Sequence, residues 1–151
     1  MNYDWNLAYE HVLNAEKLDL SNAKNAVAMT NGTLSIPLGE YDRALTTLTT
    51  LPNNGWAMWR RGIMKVMSGD LSGAKSEMNN LRKLFTDNGW DDNGFIHYAN
   101  AVIAAREGDS NKVSSDLKLA LDNDSTGELK ERLVNDIEFV NYSDAVKAAM
   151  N

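Results

Sequence analysis

The sequence predicts an all-α fold built from antiparallel helix pairs. One sign is a Gly-acid break that recurs between helix-like stretches: Gly39-Glu40 in "LGEYDRALTTL", Gly69-Asp70 in "SGDLSGAKSEM" and Gly108-Asp109 in "EGDSNKVSSDL". A second is that small and apolar residues repeat in register around each break. A third is the scarcity of proline. Only Pro37 and Pro52 interrupt the 151 residues, which leaves long stretches free for helix.

The register is specific. Seven residues before each glycine stands a small residue, Gly32, Gly62 or Ala101. Five after it come Ala44, Ala74 and Val113; nine after, Leu48, Met78 and Leu117; twelve after, Leu51, Leu81 and Ala120. A small residue lets two helices approach closely. The glycine can adopt the left-handed conformation that ends a helix. The acid after it can cap the next helix and favours that helix's positive end. The residues at five, nine and twelve share one face, which packs back on the preceding helix. The breaks lie 30 and 39 residues apart (39 to 69, 69 to 108).

The elements follow in order. Residues 1–21 contain "WNLAYEHVLNAEKLDL", a helix with Ala8, Val12, Ala15 and Leu18 facing inward, read as the second helix of a preceding repeat. Residues 22–53, 54–90 and 91–124 each hold one helix pair. The loop "TDNGWDDNG" joins the second pair to the third, with Asp91 or Asp92 as the expected cap. Residues 125–151 close the end of the stack. There Ser125 and Glu128 have capping-box spacing, Leu129, Leu133, Val134 and Ile137 form an apolar stripe, and a last helix runs from Ser143 to Met150.

This pattern resembles the tetratricopeptide repeat (TPR), a helix–turn–helix unit of about 34 residues. In that family a small residue stands at the eighth position, an alanine at the twentieth, and a Gly-acid turn between. Residues 25–121 carry the match over about three degenerate repeats. The fourth position is Ala28, Met58 and His97 here, where the family has a tryptophan or leucine, and the eleventh is Ser35, Lys65 and Ala104, where it has a tyrosine. The resemblance implies a right-handed α-solenoid with C-terminal capping helices. The ending "DIEFVNYSDAVKAAM" is similar to the tails of large TPR proteins of Bacteroidetes-type bacteria, so the chain reads as the C-terminal part of a longer array.

Composition excludes several functions. The net charge of −6 and a pI near 4.8 disfavour nucleic acid and anionic membranes as partners. No apolar run is long enough to span a bilayer, and the N-terminus lacks a signal peptide's basic start, so a soluble cytoplasmic or periplasmic protein is expected. With no cysteine there is no thiolate chemistry. His11 and His97 lack the partners of a metal site, and His97 occupies a packing position. "DNDSTGELKERL" begins like a calcium loop, but Leu133 stands where a bidentate glutamate belongs. No hydrolase, zinc-protease or phosphate-loop motif is present. The expectation is a non-enzyme with no cofactor and no metal.

The resemblance places ligands on the first helix of each pair, at the second, fifth, ninth and twelfth positions. These are Ala26, Met29, Thr33 and Ile36, then Trp56, Trp59, Ile63 and Val66, then Phe95, Tyr98, Val102 and Ala105. Arg60 and Arg61 adjoin them. The expected contacts for a protein or peptide are Met29, Thr33, Trp56, Trp59, Arg60, Ile63, Phe95, Tyr98 and Val102, because Trp, Tyr and Arg dominate binding hot spots. On this reading Trp59→Ala stays folded and loses the partner. Three alternatives stand beside it: a groove filled by the chain's own terminal helices, a homodimer face, and a structural segment of a larger TPR array with no ligand of its own.

Overall fold

The computed structural model describes residues 5–17, 24–35, 38–91 and 93–151. Within them the chain is helical throughout, and no strand occurs. In order come α1 (Trp5–Glu16), α2 (Lys24–Ser35), α3 (Tyr41–Thr49), α4 (Gly55–Met67), α5 (Leu71–Asp87), α6 (Gly94–Glu107), α7 (Ser110–Asp122), α8 (Glu128–Asn135), a 3₁₀ helix (Ile137–Tyr142) and α9 (Ser143–Met150). The tightest packing joins α2 to α3, α4 to α5 and α6 to α7, each pair connected by one of the Gly-acid breaks.

The turn between α4 and α5 shows why the break has its sequence. Gly69 takes φ +85°, where a side chain would be strained. That conformation lets Gly69 N–H donate to Val66 O at 3.0 Å and Asp70 N–H reach back to Lys65 O at 2.8 Å, satisfying carbonyls that the helix end leaves unpaired. The same backward bond closes the other two turns, from Glu40 N–H to Ser35 O at 2.9 Å and from Asp109 N–H to Ala104 O at 3.0 Å. The acid then starts the next helix. Asp70 accepts from Gly73 N–H at 2.8 Å and Asp109 from Lys112 N–H at 3.0 Å. Glu40 makes no side-chain cap, so the capping role expected of it is absent. Asp and Asn favour caps where the longer Glu does not.

The in-register residues meet where the spacing puts them. A Cβ on Gly32 would lie 2.5 Å from Leu48 Cγ, and one on Gly62 would collide with Met78 Cε. Each glycine therefore receives the side chain sixteen residues later, from the partner helix. Ala44, Ala74, Val113, Leu48, Met78, Leu117, Leu51, Leu81 and Ala120 are all buried. Full burial of a Leu- or Met-sized side chain contributes about 1.5–3 kcal/mol, so this face accounts for much of the cohesion between paired helices.

Other local expectations change. The cap of α6 is Asn93, which accepts from Phe95 N–H at 2.8 Å; Asp91 is exposed, and Asp92 lies outside the described residues, as do Leu18 and Ile36. Asn54 caps α4 in the same role. Ser125 and Glu128 form no capping box. Asp124 instead accepts from Gly127 and Leu129 N–H, each at 3.0 Å, and the chain enters α8 through Gly127 at φ +77°. Leu129 and Leu133 are buried, but Val134 and Ile137 point out, and Phe139 takes the inward place. The helix ends at Asn135, Asp136 is extended (ψ 117°), and a separate 3₁₀ helix starts at Ile137, which takes the apolar row out of the α-helical register.

Candidate functional site

The residues expected to line an open aromatic face divide into two groups. Trp59 (6% exposed), Tyr98 (2%), Val102 and Val66 belong to the core. Met29, Thr33, Arg60, Ile63 and Phe95 are half-buried, and Trp56 remains 48% exposed. Trp59 Nε1 donates to Phe95 O at 2.8 Å, which ties α4 to α6. An accessible contact role for Trp59, Tyr98 and Val102 is therefore corrected: their surface is spent inside the molecule. Arg61 is likewise buried, between Glu77 and the carbonyls of Leu48 and Leu51.

The cover comes from the chain's own end. Phe139 stacks edge-on against Tyr98 with ring centroids 5.7 Å apart, and the Tyr98 hydroxyl donates to Asp136. Arg106 holds Glu138 through two hydrogen bonds of 2.6 and 2.5 Å, and the Tyr142 hydroxyl donates to Ala105 O at 2.9 Å. Residues 132–142 thus lie along α6. Burial, followed by the neighbouring Glu138 charge, outweighs the hydrogen bond from Glu138 N–H and pushes the Asp136 carboxyl above the usual carboxylate range.

What stays open is a cleft of about 270 Å³ where the start of α4, the end of α5 and the start of α6 converge. Its aromatic walls are Trp56, Trp59, Phe85, Trp90 and Phe95. The rings interlock edge to face, with Trp56 and Phe95 centroids 4.9 Å apart and Phe85 and Trp90 5.3 Å apart. Among the described residues no charged side chain lines it. Trp90 is 55% exposed. It was not among the expected contacts, yet the sequence held its signal. Phe85 and Trp90 flank Gly89 (φ +65°), Trp90 N–H donates to Phe85 O at 3.0 Å, and the two rings meet as the flanking residues of such a helix end commonly do.

Two guanidiniums stand beside the cleft. Arg60 lies 5.7 Å from the Trp56 ring centroid; Arg132, from α8, lies 5.4 Å from that of Trp59 and 5.9 Å from that of Tyr98. Neither has a carboxylate partner among the described residues; the hydrogen bond Arg60 makes is to Met29 Sδ, at 3.7 Å. Burial, and then the positive charge of Arg132, hold Arg60 below its ordinary value. Such cation–π contacts contribute about 0.5–1 kcal/mol at exposed sites. Arg132 was also missed in the sequence, because nothing local to "ELKERLVN" shows that α8 packs beside α6 and brings Arg132 to the Trp59 ring.

Among the described residues no group of three His, Asp or Glu side chains could hold a metal ion, and no helix is long and apolar enough to cross a membrane. No family model matches the chain, and neither a curated protein nor a solved structure is similar to it.

Proposed function

We propose that the chain is a non-catalytic interaction module of TPR-type helix pairs, arranged as a right-handed solenoid, that takes a protein or peptide segment at the Trp56–Trp90 cleft. The observation that carries this reading is the exposure of these two tryptophans around an uncharged aromatic cleft, in a chain that buries Trp59, Tyr98 and Phe139. Exposed aromatic concavities of this kind serve as anchor pockets. The cleft is also smaller than the roughly 300–1,000 Å³ of pockets that enclose drug-sized ligands, which fits one or two side chains of a longer partner.

The test is selection of peptides from a random nine-residue display library on wild-type protein, followed by binding to Trp90→Ala. Peptides that bind wild type and lose the variant support the module. An empty selection removes the reading.

A second reading has one observation in its favour. Val134, Ile137 and Val140 are exposed on the covering segment, three residues apart, and the last two share one edge of the 3₁₀ helix. Such a row suits self-association. Sedimentation equilibrium of wild type and Ile137→Glu tests it: a dimer lost in the variant supports it, and a wild-type monomer rejects it.

A further inference from the structure

The arginines beside the cleft pose a problem of charge. Arg60 and Arg132 are close enough for one to weigh on the other, and both face aromatic rings. Arg132 had partners to hand. Glu128 lies one turn before it on α8, the spacing at which opposite charges pair, yet the two form no ion pair, and the Asp136 carboxylate, past the helix end, is taken by the Tyr98 hydroxyl and Glu138 N–H. Two other arginines show the contrast, since Arg61 is held by Glu77 and Arg106 by Glu138. Two neighbouring cations with no carboxylate partner among the described residues, on a chain whose net charge is −6, make a local positive spot that the fold engages only through aromatic rings and Met29.

We propose that Arg60 and Arg132 bind a carboxylate of an acidic peptide segment whose adjacent apolar or aromatic side chain enters the Trp56–Trp90 cleft. The inference rests on the interaction reading above and names the partner's chemistry. Trp56 links the two halves, since it lines the cleft and carries the Arg60 guanidinium on its ring. A guanidinium offers a fork of N–H donors that matches a carboxylate, and stacking on a ring leaves that fork's edge available. A cationic ligand is disfavoured because Arg60 and Arg132 already occupy the Trp56 and Trp59 rings. A polyanion such as nucleic acid is opposed by the acidic remainder of the chain.

The experiment is the same nine-residue display selection, run in parallel on wild type and on the Arg60→Gln/Arg132→Gln double variant, with recovered peptides measured by fluorescence anisotropy. The expected peptides place Asp or Glu beside an aromatic or bulky apolar residue. They bind the double variant at least about tenfold more weakly, and replacing their acids with Gln or Asn reproduces that loss. Raising ionic strength weakens binding to wild type and not to the double variant. Thermal unfolding separates a structural role: the double variant gives up only its contacts with the rings and Met29, so Tm should fall by no more than about 5 °C, and a larger drop overturns the assignment of these arginines to a partner. Peptides recovered without acidic residues, or bound equally by the double variant, overturn the carboxylate proposal and leave the cleft as an interaction site. An empty selection on wild type overturns both.

Discussion

Arg61 and Glu77 face each other across α4 and α5 through two parallel hydrogen bonds, Nε to Oε1 and Nη2 to Oε2, each 3.0 Å. The remaining Arg61 amine donates to Leu48 O at 2.8 Å, so one side chain joins the end of α3 to the α4–α5 pair. Lys65 adds a third contact to Glu77 at 3.1 Å. Removing one partner leaves the other charge buried without compensation, which costs about 3–5 kcal/mol. Glu77→Gln should lower Tm by roughly 10 °C or more, measured by circular dichroism, whereas Lys83→Ala, which breaks an exposed pair with Asp87, should change it little.

The same cluster sets a pH dependence. Burial alone would raise the Glu77 carboxyl, but hydrogen bonds from Arg61 and Lys65, with their charges, outweigh it and hold the group below its ordinary value. A depressed carboxyl contributes stability that is present above the unfolded value and lost as pH falls through the folded one. Asp136 works in the opposite sense. Its raised value makes the ionised form a penalty, relieved as pH falls through that value. Asp136→Asn should therefore be neutral to stabilising at pH 7, and its advantage should shrink on mild acidification. Urea unfolding at several pH values follows both effects.

Helix glycines should rank by what a methyl group would meet. Gly94→Ala runs into the backbone carbonyl of Ala120, which cannot swing aside. Gly32→Ala meets Leu48 Cγ, a branch point held in the core. Gly62→Ala meets only the terminal methyl of Met78. Overpacking costs about 1–3 kcal/mol, and the helix preference of Ala over Gly returns roughly 0.5–1 kcal/mol. Gly94→Ala should be the most destabilising and Gly62→Ala close to neutral, read from urea midpoints.

The repeat register was legible because it is local. Small residues, turn glycines and one apolar face recur at fixed spacing, and the pairs Gly32–Leu48 and Gly62–Met78 follow from it directly. The site was less legible, because exposure is a tertiary property. Trp59 and Trp56 sit three residues apart on the same helix, yet one is in the core and the other half-open, because the start of α6 and the Arg132 side chain meet Trp59. No periodicity in α4 carries that information. Trp90 was hidden for another reason: it lies in a loop, outside the helical positions at which a repeat is expected to bind.

The proposed site requires Trp90 to be a contact residue and Trp59 a core residue. The most direct measurement is thermal unfolding together with selected-peptide binding for Trp90→Ala and Trp59→Ala side by side. Trp59→Ala should lose about 3–5 kcal/mol of stability. Trp90→Ala should lose no more than the roughly 0.5–1.5 kcal/mol of its edge-to-face contact with Phe85, and lose at least about tenfold in peptide affinity. Trp90→Ala unfolding as readily as Trp59→Ala, or binding peptide as wild type does, would contradict the account.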